Sequence, residues 1–131
     1  MNCSLSMRLA GATLIAAFAG TAQASPADLQ AAYAALGATT AVPDRGQQLF
    51  TTRHGREWSC STCHGAVPTQ AGRHASTGKP IAPLAPAVNP ERFVDAAKTE
   101  KWFRRNCNDV MGRECSAAEK ADVISWLRTL Q

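Results

Sequence analysis

Apolar positions along the chain recur at helical spacing, and no alternating strand-like run extends beyond a few residues. The pattern predicts a helix over Pro26–Leu36, rich in alanine and leucine, which Gly37 can stop as a C-cap residue. Asp44 is a suitable N-cap for a second helix running to about Arg53, with Gly46, Leu49 and Phe50 on one face at i, i+3 and i+4. A third spans Glu91 to about Arg105, with Phe93, Ala96, Ala97 and Phe103 available for packing. Lys98, Lys101 and Arg105 lie along another face of that helix, most simply a solvated one. The last helix opens with a capping box, Ser116 at N-cap and Glu119 at N3, and buries Val123, Trp126, Leu127 and Leu130. Gly46 would let the second helix cross the last one at close backbone distance. From Gly65 to Pro90 the periodicity lapses, and Pro80, Pro83, Pro86 and Pro90 favour extended backbone. A long loop of this kind inside a compact domain usually carries function. The expected fold class is all-α, built from short helices.

The first residues read as a secretory leader. Arg8 is the lone charge, Leu9–Gly20 form an apolar run, and Ala22-Gln23-Ala24 is a small-x-small cleavage site. The run is short of the ~20 residues that span a bilayer. Cleavage after Ala24 removes Cys3 and leaves 107 residues, one small domain with Cys60, Cys63, Cys107 and Cys115. The expected organisation is a signal peptide over 1–24, an N-terminal extension over 25–42 and one domain over 43–131. The expected location is the periplasm. The mature chain carries 13 basic and 10 acidic residues, which gives no sign of a nucleic-acid partner.

Cys60-Ser61-Thr62-Cys63-His64 changes the picture most. Cys-x-x-Cys-His is the attachment sequence for c-type haem. Two thiols three residues apart on a turn reach the two vinyl groups of one porphyrin, and His64 supplies an imidazole nitrogen to the iron. A thioredoxin-like redox pair would want a βαβ pattern nearby, and half a zinc site would want a second Cys/His pair. Neither is present. One covalent haem c is therefore the expected cofactor, held by Cys60, Cys63 and His64, and short helices around it make a cytochrome c-like fold. Its bulk would substitute for much of the apolar interior that so short a chain lacks, and its propionates would bring the charge close to neutral. Cys107 and Cys115 can close a nine-residue loop in an oxidising compartment, or stand as two free buried thiols.

The residue on the distal side of the iron separates an electron carrier from a ligand-binding haem. Met111 is the only methionine outside the leader and sits where small electron-transfer cytochromes place their sulfur ligand. His74, in the loop after the motif, would give a bis-histidine site. His54, placed on the helix before the motif, reads as an ordinary surface or core histidine. An empty distal position is the remaining arrangement.

Three stretches narrow the choice. They are Lys101-Trp102-Phe103-Arg104-Arg105-Asn106-Cys107-Asn108-Asp109-Val110-Met111-Gly112-Arg113-Glu114-Cys115, Thr77-Gly78-Lys79-Pro80-Ile81-Ala82-Pro83-Leu84-Ala85-Pro86, and Asn89-Pro90-Glu91-Arg92-Phe93. Together with the haem motif they resemble the sphaeroides haem protein (SHP) family, over nearly all of the mature chain from the Gly46–Phe50 helix onward. The resemblance implies a small, high-spin, monohaem c-type cytochrome with histidine and asparagine as axial ligands. Carried onto this sequence, the iron ligands are His64 and Asn106, and the disulfide is Cys107–Cys115. It also implies a dihaem cytochrome c and a membrane b-type cytochrome as electron donors. The functional expectation is a periplasmic haem protein that accepts an electron, releases Asn106 and binds or reduces a small ligand such as dioxygen or nitric oxide. The runner-up is a low-spin His64/Met111 electron carrier, and a gas sensor or ligand-transport module is the third class. Arg104 and Arg105 are candidates to meet a propionate or bound anion.

Overall fold

The computed structural model describes residues 24–131. The expected leader therefore lies, but for Ala24, outside the described residues. Five helices appear among them: α1 (Pro26–Leu36), α2 (Pro43–Thr51), α3 (Cys60–His64), α4 (Ala96–Met111) and α5 (Ala117–Leu127). Two short antiparallel strands, β1 (Gly72–Arg73) and β2 (Pro80–Ile81), pair Gly72 with Ile81 and Arg73 with Pro80. None of the described helices is long and apolar enough to cross a membrane.

α5 is the central element, with every residue from Lys120 to Leu127 buried. Its capping box forms as the sequence suggests, Ser116 Oγ accepting from Glu119 N and Glu119 Oε2 accepting from Ser116 N. α2 crosses α5 at Gly46, where a Cβ would fall on the Asp122 carbonyl and stand 2.8 Å from Val123 N. The crossing is held by Asp122, which accepts from Val42 N at 2.6 Å and from Arg45 Nε at 2.8 Å. Around it Phe50, Val123, Trp126 and Leu127 form one core cluster, with the Phe50 and Trp126 ring centroids 5.0 Å apart. A second cluster joins Leu29 and Tyr33 of α1 to Ala121 and Ile124 of α5, so the 25–42 segment packs onto the same central helix.

Four boundaries differ from the sequence reading. α2 starts at Pro43 with Val42 as N-cap and ends at Thr51; Asp44 sits inside the first turn, where its charge meets the positive end of the helix dipole. His54 therefore lies in the loop after α2, not on the helix. α4 starts at Ala96 rather than near Glu91, because Asp95 caps it by accepting from Lys98 N at 2.8 Å. The helix then continues past Arg105 to Met111 and stops at Gly112, which takes the left-handed conformation at φ +72°. Asn106 consequently sits in the interior of a helix. The Gly65–Pro90 stretch is mainly loop as expected, stiffened by the β1–β2 pair.

α4 is tied to the rest of the fold at a few points. Glu100 accepts from Lys120 Nζ at 2.7 Å and from Tyr33 Oη at 2.8 Å, joining α4 to α5 and α1. Phe103 packs against both core clusters and meets Tyr33 edge-on at 6.0 Å. Near its C-terminal end, the Cys107 and Cys115 sulfurs lie 1.96 Å apart, at bonding distance, with Cα atoms 5.6 Å apart.

Candidate functional site

A cavity of about 590 Å³ opens between α3, the 80–95 loop and α4. The sequence-predicted residues Cys60, Cys63, His64, His74, Asn106 and Met111 all line it, whereas His54 and Arg104 do not. His54 instead bonds through Nε2 to the Leu49 carbonyl at 2.8 Å, a structural role.

The haem motif forms the single-turn helix α3. Ser59 is buried beneath it, its hydroxyl within hydrogen-bond reach of Ser61 and Thr62, and Ser59 N donates to Thr62 Oγ1 at 3.0 Å. β1 runs hard against this turn: a Cβ on Gly72 would fall on the Cys63 carbonyl and 2.9 Å from His64 Cα. The His64 ring rests on Phe50, centroids 6.0 Å apart, so the α2–α5 crossing fixes its position. Burial first, and then the nearby Arg92 cation, push the imidazole down to about 4. A neutral imidazole is the form that ligates a metal.

Burial also pushes the Cys60 thiol up to about 11, the opposite of the lowered value a redox-active dithiol requires. No group of three or more His, Cys, Asp or Glu residues suited to a metal ion occurs among the described residues. The cavity's size, its predominantly apolar wall and two unbridged cysteines beside a neutral histidine fit a covalent porphyrin.

The alternative distal residues separate by their surroundings. Ala75 N donates to Cys63 Sγ at 3.4 Å, which places His74 beside the attachment turn rather than across the cavity from it. Its Nδ1 is held by Thr77 N at 3.3 Å. Met111 Sδ lies 3.6 Å from Cys115 Sγ, a sulfur–sulfur van der Waals contact with the disulfide. Asn106 lines the cavity and its carboxamide makes no hydrogen bond to any described residue, although Asn108 two positions on bonds back to the Arg104 carbonyl at 2.7 Å. A half-buried amide without an internal partner suits a position reserved for an external one. Of the two arginines considered for an anion, Arg104 lies off the cavity lining and pairs with exposed Glu114 at 3.5 Å, whereas Arg105 lines the cavity and lies over the Trp102 ring at 5.8 Å.

Three cavity residues escape the sequence reading. Trp58 precedes the motif without any periodic signal. Arg92 and Phe93 were assigned to a helix, yet Phe93 has φ +61°, a left-handed conformation rare for a bulky side chain. The only sequence hint is Pro90, which disfavours helix at the residue before it.

A family model described as a domain of unknown function (DUF1924) matches residues 37–127. The cytochrome c-type protein SHP of Cereibacter sphaeroides is 50% identical over 121 residues, covering 87% of this chain and 93% of that protein. Cytochrome c″ of Methylophilus methylotrophus is 46% identical over 80 residues, covering 61% of this chain and 56% of that protein. Among solved structures, oxidised SHP, described as an oxygen-binding cytochrome c, superposes with a TM-score of 0.77 at 49% identity, covering 82% of this chain and 98% of that one. Oxidised cytochrome c″ gives 0.69 at 36% identity, covering 81% and 94%. These relatives are c-type cytochromes, and the attachment turn and cavity match their cofactor, one covalently bound haem c. The chain carries the DUF1924 domain and belongs to the SHP family of c-type cytochromes.

Proposed function

We propose that this cytochrome is a periplasmic ligand-binding haem protein in which Asn106 occupies the distal iron position in the ferric state and leaves it on reduction. Haem c supplies an iron that cycles between ferric and ferrous states, the latter able to bind diatomic ligands. Cys60 and Cys63 would hold the group as thioethers, and His64, kept neutral by burial and backed by Phe50, would supply its imidazole to the iron. The observation that carries the reading is Asn106, a residue of the cavity wall whose carboxamide is uncommitted to any described hydrogen-bond partner. An amide oxygen is a hard, neutral donor, acceptable to ferric iron and poor for the softer ferrous form. Reduction therefore weakens its hold. The Cys107–Cys115 link and the helix on both sides pin the Asn106 backbone, so release would need only a side-chain rotation and no local unfolding.

The oxygen binding ascribed to the SHP relative accords with a distal position that opens in this way. Electrons would come, by the same likeness, from a dihaem cytochrome c fed by a membrane b-type cytochrome. A pure carrier would instead use Met111, whose sulfur lies against the disulfide. Absorption spectra of the haem-loaded protein, ferric and then ferrous, before and after carbon monoxide, separate the two. The proposal expects a high-spin ferric spectrum and prompt ferrous binding of the gas. A low-spin spectrum with a sulfur-to-iron band and no response to the gas would overturn it.

A further inference from the structure

Six charged residues line the cavity, and five of them, Glu91, Asp95, Lys98, Arg105 and Asp109, are solvent-exposed. Water and salt screen those five. Arg92 alone is half-buried. Its Nε donates to the Pro83 carbonyl at 2.8 Å and its Nη2 to the Ala82 carbonyl at 2.7 Å. Asn89 Nδ2 donates to the same Pro83 carbonyl at 2.9 Å, so the loop beside β2 is fixed from two sides. Arg92 enters no ion pair among the described residues, and the one carboxylate that acts on its charge is the exposed Glu91 next to it in the chain. The guanidinium is thus a stationary cation on a largely apolar wall, held by carbonyls rather than by a contact ion pair.

The backbone is built to hold it there. Phe93, the next residue, takes φ +61° and packs against both core clusters. Such a conformation persists only where the surroundings over-determine it. The strained corner sends Arg92 to the Ala82–Pro83 carbonyls while Phe93 anchors it in the core. The two hydrogen bonds need the planar fork of arginine; the charge does not.

We propose that Arg92 is a positioning residue whose fixed charge sets the redox balance of the site, favouring the ferrous form by stabilising the state of lower positive charge at the iron. Reduction removes one positive charge from a centre that shares its cavity wall with this cation. In a low-dielectric pocket that interaction is stronger than at the surface. The inference rests on haem c occupying this cavity, not on Asn106 as distal ligand. Its test is therefore independent of the distal assignment.

The experiment is a spectroelectrochemical titration of the haem-loaded wild type, Arg92→Gln and Arg92→Lys. Arg92→Gln removes the charge, and Arg92→Lys keeps it while losing the paired carbonyl contacts. The expected result is a midpoint for Arg92→Gln lowered by roughly tenfold in the ferrous-to-ferric ratio, or about 59 mV for a one-electron couple. Arg92→Lys should stay near wild type even if it melts earlier. A midpoint for Arg92→Gln equal to wild type would overturn the proposal. So would an equal drop in both variants, which would make Arg92 a structural clamp only. Should Arg92→Gln fail to fold, Arg92→Met removes the charge in its place, and a midpoint lowered relative to both wild type and Arg92→Lys supports the proposal while one equal to wild type overturns it.

Discussion

Replacing Gly46 by alanine should destabilise this protein, against the ordinary preference of helices. In an exposed helix interior, glycine to alanine gains about 1 kcal/mol. Here the added methyl would fall on the Asp122 carbonyl and lie 2.8 Å from Val123 N, where ordinary contact begins at 3.4 Å. Both obstacles are α5 backbone, which cannot rotate aside as a flexible side chain can. The helices must part by roughly 1 Å in an interior packed as densely as an organic crystal. Overpacking of this kind costs ~1–3 kcal/mol, and the rigidity of the contact puts it at the upper end. The crossing also carries the Asp122 bonds to Val42 and Arg45 and the Phe50–Trp126 packing that backs His64. After subtracting the propensity gain, the net loss is about 2 kcal/mol, or ~8–16 °C in Tm for a domain of this size. Thermal unfolding of the haem-loaded protein, followed by far-ultraviolet circular dichroism, measures it. A Tm at or above wild type would refute the close-crossing argument.

Two further outcomes follow from the polar ties of α4. The hydrogen bond from Lys120, aided by that from Tyr33 and opposed by burial, holds the Glu100 carboxyl below its ordinary value of 4.5. A lowered folded-state value adds stability above that pH and loses it as pH falls through the folded value. Denaturant titrations between pH 7 and 3 should show this loss, and Glu100→Gln should flatten it while lowering neutral-pH stability, because Lys120 is left buried and unpaired. An unchanged acid limb would count against the assignment. Converting Cys107 and Cys115 together to serine should cost ~2.5 kcal/mol in urea unfolding on the chain-entropy model for a nine-residue loop. It should also broaden the ferric spectrum as the Asn106 backbone loosens. A variant as stable as wild type would show that the link does not tie down the end of α4.

The parts of this molecule written in local chemistry were legible in its sequence. The attachment motif, the Ser116–Glu119 capping box and the Gly46 crossing each depend on residues whose spacing alone dictates the geometry. Element ends were less legible. Asp44 is a credible cap by sequence, yet the tertiary structure puts it inside the first turn of one helix and gives the capping role in the next to Asp95, which the sequence reading placed within a helix. Glu91–Phe93, within the Asn89–Phe93 corner, were read as the start of a helix because their composition permits one. The true form of the corner is set by Arg92 binding carbonyls nine and ten residues back, and no periodicity encodes that. The same non-local corner hid the cavity's half-buried cation. The 25–42 segment carried a readable helix, but its place on the core depends on Leu29 and Tyr33 meeting α5 about 90 residues later.

The central claim, that Asn106 rather than Met111 holds the distal position, is tested most directly by ferric absorption and electron paramagnetic resonance spectra of Asn106→Ala and Met111→Leu beside wild type. Both residues line the cavity, and neither change disturbs a core cluster. The account predicts an altered ferric spectrum for Asn106→Ala and an unchanged one for Met111→Leu. The reverse pattern would contradict it and make the protein a plain electron carrier.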